Sequence, residues 1–329
     1  MRKRVFSGAR PTGRQHLGNY LGAIKNYVAL QEKYDCVYCI VDLHALTTHK
    51  IKETLQDNIY EMALDWLAAG IDPQRSIIFV QSHVPQVTEL HTLLSMITPL
   101  GWLMRVPTFK EKARKQPEDV NYGLVGYPVL MTADIILYKA EAVPVGEDQA
   151  PHLELAREIV RRFNMLYGDT FPEPEIKLTD FPLVPGLDGT GKMSKSYDNV
   201  IELAATPEET KKKIMTAFTD PSRKRRSDVG HPDVCNVYRL HKFFDTHELA
   251  DLHEKCMTAG IGCVECKALL AESVNKDLAS FRARRAEIAT RKGYVENVLL
   301  DGARRAHIIA EATIREVKDN MGLTPNLKR

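Results

Sequence analysis

The sequence predicts an α/β fold, a parallel sheet with helices on both faces, followed by an all-helical region. In the first half of the chain, segments rich in β-branched and aromatic residues alternate with segments of helical period. From about Thr206 only the helical period remains, down to VLLDGARRAHIIAEATIREVKDNMGL. A glycine-rich stretch, PGLDGTGKMSKSYDN at residues 185–199, separates the two patterns and divides the 329 residues into domains 1–199 and 200–329.

RVFSG reads as a short strand ending in glycine. Residues 16–34, HLGNYLGAIKNYVALQEKY, place Leu17, Leu21, Ile24, Tyr27 and Leu30 near the helical period. CVYCIVDLH, residues 36–44, reads as a buried strand. Cys36 and Cys39 point to its opposite faces and are read as core. IKETLQDNIYEMALDWLAAG is a helix closed by Gly70, and SIIFVQS is a further strand. Residues 85–121 are less regular, with helical patches and a basic FKEKARK. YPVLMTADIILY, residues 127–138, reads as a helix with proline near its start. EAVPVGED then reads as a short strand and turn, and QAPHLELAREIVRRFNML as a strongly periodic helix.

The composition, 44% hydrophobic and 27% charged, is ordinary for a globular protein. No apolar run approaches the roughly 18 residues that span a bilayer. The basic start MRKRVFSGARPTG lacks a signal peptide's apolar core. A cytoplasmic protein without membrane association is expected. A net charge of +2 does not advertise nucleic acid, and SRKRRS at residues 222–227, taken alone, is a solvated loop. In a reducing cytosol, clustered thiols favour metal over disulfides.

Two stretches carry chemistry. GLDGTGKMSKS imitates a phosphate-cradling loop, but Met193 stands where Ser or Thr would reach magnesium, so that reading is set aside. A glycine-loosened loop remains, with Lys192 and Lys195 flanked by Ser194 and Ser196. Its cations suit a pentavalent phosphate and departing pyrophosphate, although a plain basic linker would look the same. In FSGARPTGRQHLGNYLG, Pro11 and Gly13 shape a turn and His16, Gly18 and Asn19 open a helix. Gly18 admits a nucleotide close to the backbone, and the helix start favours anions. A histidine there serves capping as readily as catalysis.

KMSKS, residues 192–196, matches a class I aminoacyl-tRNA synthetase motif letter for letter, and HLGN, residues 16–19, resembles its HIGH partner. Asn19 replaces the final histidine, as in one branch of the class. YPVLMTADIILY, VPVGEDQ and VDLHALT resemble that same branch, and the likeness covers nearly the whole chain. The sequence thus resembles the bacterial-type tryptophanyl-tRNA synthetases.

The resemblance implies a Rossmann-type catalytic domain, a helical domain that contacts tRNA(Trp), and a homodimer. It implies that L-tryptophan attacks the α-phosphate of ATP with Mg2+, and that the tRNA terminal ribose then takes the aminoacyl group. Catalysis would be positioning and charge stabilisation by Lys192, Lys195, Lys112 of FKEK, and His16. For ATP it implies the turn Arg10, Pro11 and Thr12, with Arg10 in place of a common glutamine. It adds Gly18 and Asn19 at the helix start, Gly146, Glu147 and Asp148 at the ribose, Leu183 at adenine, and Lys192, Met193, Ser194, Lys195 and Ser196 in the loop.

Tyr127, Met131 and Asp134 share a helix face. Indole has one donor and no acceptor, so a carboxylate at the bottom of an apolar pocket suits it. Asp134 matches the family's indole-binding aspartate. Phe6, Val143 and Val145 would be walls, Gln149 would meet the amino-acid end, and His44 joins the substrate set. Tyrosine also offers a donor, so Asp134 alone does not exclude a tyrosyl enzyme; the combined similarity favours tryptophan. Two further classes compete: a nucleotidyl transferase acting without tRNA, and a non-catalytic nucleic-acid module.

Cys235, Cys256, Cys263 and Cys266 are separated by twenty, six and two residues. Four thiolates suit tetrahedral zinc or a four-iron cluster. Spacing alone favours zinc, whereas resemblance to the iron–sulfur-containing subset implies a [4Fe-4S] cluster.

Overall fold

Five strands form one parallel sheet: β1 (Arg4–Ala9), β2 (Asp35–Ile40), β3 (Ser76–Val80), β4 (Ala142–Val145) and β5 (Glu175–Leu178), in the order β3-β2-β1-β4-β5. This computed structural model describes residues 2–47, 52–106, 109, 114, 118, 120–146, 149–178, 183–244 and 248–324. The alternation of strand and helix in the first half thus gives the parallel α/β sheet it predicts, because parallel neighbours require crossovers.

Strand residues alternate between two cores. Val5, Tyr38, Ile40, Ile78 and Val80 face one side, and Phe6, Val37, Cys39, Ile77 and Phe79 the other. Cys36 and Cys39 fall on opposite sides, both fully buried, as a period of two requires.

The predicted helix at 16–34 is built in pieces. A short α1 (Leu17–Asn19) passes through a π-helical turn, Tyr20–Ile24, into α2 (Lys25–Leu30). The predicted strand at 36–44 stops at Ile40 because Asp42 turns the chain. Its Oδ1 accepts from the amides of Leu43 and Ser82, each at 3.0 Å, and starts α3 (Asp42–Ala45). α4 (Lys52–Ala69) ends at Gly70, whose φ of +110° suits a helix stop. The irregular stretch contains α5 (Gln86–Ser95) and α6 (Leu100–Arg105).

The helix expected from residue 127 begins earlier, as α7 (Tyr122–Leu137), because Asn121 caps it by accepting from the Leu124 amide at 3.1 Å. Pro128 is therefore interior, not initial. α8 (Ala150–Tyr167) ends at Gly168.

The helical region comprises α9 (Pro207–Met215), α10 (Asn236–His241), α11 (Leu249–Met257), α12 (Cys263–Thr290) and α13 (Tyr294–Asn320). α12 packs on α4 and α9, and α13 returns to the sheet along β3. A β-carbon on Gly302 of α13 would stand 1.8 Å from the Ile78 carbonyl oxygen, so this helix reaches the β3 backbone only as glycine. Among the described residues no helix is long and apolar enough to cross a membrane.

Candidate functional site

The chain leaves β1 toward β2 and β3, while β4 and β5 lie on the other side of β1. Such a reversal opens a crevice at the carboxyl ends of the two central strands, where α/β sheets bind ligands. β1 delivers Arg10, Pro11 and Thr12 there, and β4 delivers Val145 and Gly146. Phe6 and Val143 lie beneath, both buried, with Phe6 stacked on Tyr138.

His16 is the N-cap of α1. Its Nδ1 accepts from the Gly18 amide at 3.1 Å, and its own amide donates to Asn19 Oδ1 at 3.1 Å. HLGN is therefore a reciprocal cap built from His and Asn. An Nδ1 that accepts is unprotonated, so the neutral ring carries its hydrogen on Nε2 and offers it as a donor. Burial, with the Lys195 charge nearby, lowers the His16 pKa to about 4.

The two glycine-bearing stretches meet. A β-carbon on Gly18 would stand 3.0 Å from the His16 ring and 3.2 Å from Met193 Cβ. One on Gly13 would stand 2.9 Å from Lys195 Nζ. Burial holds the Lys195 ammonium down, to about 8, against the opposing pull of Glu202 and Asp65. Lys192 is exposed, and Met193 is buried under the loop. Asn199, 2% exposed, braces this loop: its Oδ1 accepts from the Ser194 amide at 2.7 Å and its Nδ2 donates to Asp188 Oδ1 at 2.9 Å.

Asp134 of α7 is 2% exposed. Gln81 Nε2 donates to both of its oxygens, at 2.7 and 2.9 Å, and His44 Nε2 lies 2.8 Å from Oδ2. The Gln81 amide is oriented by its other end, where Oε1 accepts from the Leu43 amide at 3.1 Å. A carboxylate has about four acceptor positions. Among the described residues three are used, which leaves one. On the same helix Tyr127 Oη lies 2.6 Å from His152 Nε2, while Met131 is half-buried. Gln149 and Val145 are half-buried beside this region.

Spacing along the chain signals neither Gln81 nor Asn199, because each acts on a partner that only the fold brings near. Leu183 is 77% exposed and stands away from the apolar packing. Lys112, Glu147 and Asp148 lie outside the described residues, as does the side chain of Ser196.

Cys235, Cys256, Cys263 and Cys266 line one enclosed pocket with Thr219, Arg223, Val237 and Ile261. Arg223 Nη1 is 3.9 Å from Cys256 Sγ, and its Nη2 donates to the Ile261 carbonyl at 2.7 Å. Burial, then the neighbouring thiols, push the Cys266 pKa up to about 12. Among the described residues no three His, Cys, Asp or Glu side chains converge closely enough to hold a single ion. The single-ion zinc geometry suggested by the Cys-x-x-Cys spacing is thus not preformed. The thiols surround a common space without meeting at one point, because they come from the start of α10, from α11 and from the first turn of α12.

The family described as "tRNA synthetases class I (W and Y)" matches residues 1–279. A "Tryptophan--tRNA ligase" of Thermotoga maritima is 46% identical over 97% of this chain and 99% of its own length. One from Deinococcus radiodurans is 44% identical, covering 97% of this chain and 98% of its own. The crystal structure of tryptophanyl-tRNA synthetase from Campylobacter jejuni complexed with ADP and tryptophan superposes with a TM-score of 0.88 at 36% identity, over 97% of this chain and 100% of that one. With a family match over most of its length and relatives of this identity aligned nearly end to end, the chain belongs to the class I tRNA synthetases, on the bacterial tryptophan–tRNA ligase branch.

Proposed function

We propose that the chain activates L-tryptophan with ATP and transfers it to tRNA(Trp). A tryptophan carboxylate oxygen bonds to the α-phosphorus, the bond from that phosphorus to the bridging oxygen breaks, and pyrophosphate leaves with the electron pair. A hydroxyl of the tRNA terminal ribose then attacks the carbonyl carbon and AMP departs. A carboxylate is already a nucleophile, so the work is positioning and charge stabilisation. Lys195, Lys192 and Lys112 would neutralise the phosphates, with Mg2+ bound to ATP. The His16 Nε2 hydrogen would donate to a phosphate oxygen.

The observation that carries this reading is the contact of Gly13 with Lys195 and of Gly18 with Met193 at the sheet's switch point. It brings the His16 cap and the lysine loop onto one crevice. The residual acceptor of Asp134 supports an indole N–H as the amino-acid recognition element. Tryptophan-dependent ATP–pyrophosphate exchange, followed by tRNA(Trp) charging, tests the reading; exchange driven by tyrosine alone would overturn the substrate.

The ATP and tryptophan sites belong to residues 1–199, and residues 200–329 would contact tRNA, with Lys224, Arg225 and Arg226 on their surface. A homodimer is supported by exposed apolar side chains around α5 to α7, with Met96 at 74%, Leu100 at 64% and Tyr122 at 63% exposure; sedimentation tests it. Cytoplasmic residence follows from the reaction, which serves translation. Four thiols lining one pocket are the donor set of a [4Fe-4S] cluster. It would supply structural bracing to the helical region rather than chemistry. Iron and sulfide analysis of anaerobically purified protein tests it; stoichiometric zinc would replace it.

A further inference from the structure

We propose that Asp65 and Arg285 are a positioning pair for the His16 turn, carried to it from the helical region. The proposal rests on the function given above only for its kinetic readout.

Asp65, on α4, has a fully buried side chain. Its Oδ1 accepts from Arg285 Nε at 2.7 Å, and its Oδ2 accepts from the Gln15 amide at 3.3 Å. Gln15 directly precedes the histidine cap. The second arm of Arg285 bonds Glu61, one turn earlier on α4, and Glu61 lies 3.9 Å from Arg14 Nε. Two successive residues of the turn are therefore tied to α4, and one guanidinium from α12 bonds both of the carboxylates that hold them. From the opposite side the Leu203 amide donates to the Gln15 carbonyl at 3.0 Å, and the Leu17 amide donates to the Ile201 carbonyl at 2.8 Å.

A carboxylate serves no packing need in a dry site, where an apolar side chain of the same volume is as stable or more so. What it supplies is an acceptor for the Gln15 amide. The acceptor stays tolerable only while Arg285 faces it. α12 is held against the helical segment that follows this turn by Tyr20–Phe281 ring contact and by Lys25–Asp277 at 3.3 Å, so Arg285 arrives on a fixed helix. Displacing α12 would therefore displace the histidine turn.

The test combines amide hydrogen exchange of residues 13–20 with tryptophan-dependent pyrophosphate exchange on the full chain. In R285M, exchange at 13–20 rises about tenfold while β2 and β3 stay protected. The kcat falls about tenfold with tryptophan KM unchanged. D65N/R285M leaves no buried charge and keeps an amide oxygen for Gln15, so protection and most of kcat return. Wild-type protection at 13–20 in R285M overturns the pair, as does a double variant as impaired as R285M. If R285M does not fold, D65N/R285M is compared with D65L/R285M, which lacks the acceptor. Equal protection at 13–20 in those two defeats the proposal. A wild-type chain that exchanges no pyrophosphate with tryptophan defeats the functional reading and leaves the amide measurement standing.

Discussion

The Lys195 ammonium lies 2.9 Å from where a β-carbon on Gly13 would stand, and Gly13 has a φ of +113°. The lysine reaches the first turn because that turn has no side chain and a backbone that favours glycine. Gly13→Ala should lower stability by about 1–3 kcal/mol through strain and shift Lys195. We expect pyrophosphate-exchange kcat to fall with tryptophan KM unchanged. Unaltered kcat in a strained but folded variant would mean that Lys195 works from another position.

Burial lowers the Lys195 pKa to about 8, so the ammonium is lost as pH rises past that value. The kcat/KM for ATP, which reports the free enzyme, should decline above about pH 8 and flatten in Lys195→Arg, whose guanidinium stays charged. Stability moves the other way. Between about 8 and the ordinary 10.5 the unfolded chain holds the extra proton, so this group's contribution to stability rises with pH. A pH profile unchanged in K195R assigns the basic limb elsewhere.

His16 titrates near 4, below its ordinary 6.5. Between these values the unfolded chain binds the proton and the folded one does not, so the stability His16 contributes is whole above about 6.5 and lost as pH falls toward 4. His16→Ala should be about 1 kcal/mol less stable at neutral pH through loss of the cap. The gap to wild type should shrink on acidification, as read from urea unfolding at several pH values. A gap that widens on acidification contradicts a neutral, buried ring.

Gln81→Leu removes the Gln81 Nε2 contacts to both oxygens of the buried Asp134 carboxylate and one of the two acceptors of the Leu43 amide. Asp134 keeps His44 and the Leu43 amide keeps Asp42, so the loss of the Gln81 hydrogen bonds costs about 1 kcal/mol or more. The tryptophan KM should rise while the ATP KM holds. If both constants stay at wild-type values, Gln81 is dispensable to the pocket.

Gly302→Ala puts a carbon 1.8 Å from the Ile78 oxygen, and backbone cannot yield as a flexible side chain does. α13 must lift off β3, so destabilisation above about 3 kcal/mol is expected, at the upper end of overpacking. A urea midpoint equal to wild type would show that the helix shifts freely.

The sheet was legible because period two and period 3.6 are local signals. The HLGN and KMSKS stretches were legible because glycines, a histidine and lysines sit close together in each. The π-helical turn at Tyr20–Ile24 kept the apolar spacing of a plain helix and left no trace. The α7 cap at Asn121 was hidden by the glycines that follow it, which read as loop. Gln81, Asn199, Asp65 and Arg285 were silent for a different reason. Each is an ordinary polar residue on its own element, and its meaning comes from a partner that folding supplies.

The close seat of α13 on β3 also orders the birth of the protein. The helix that covers this edge is translated long after the strand it seals. Until Gly302 leaves the ribosome, β3 presents unpaired backbone to its surroundings, and unpaired strand edges invite pairing with other chains. The nascent chain is therefore exposed to mispairing at this edge until α13 is made, and slow translation of residues 200–300 would lengthen that exposure.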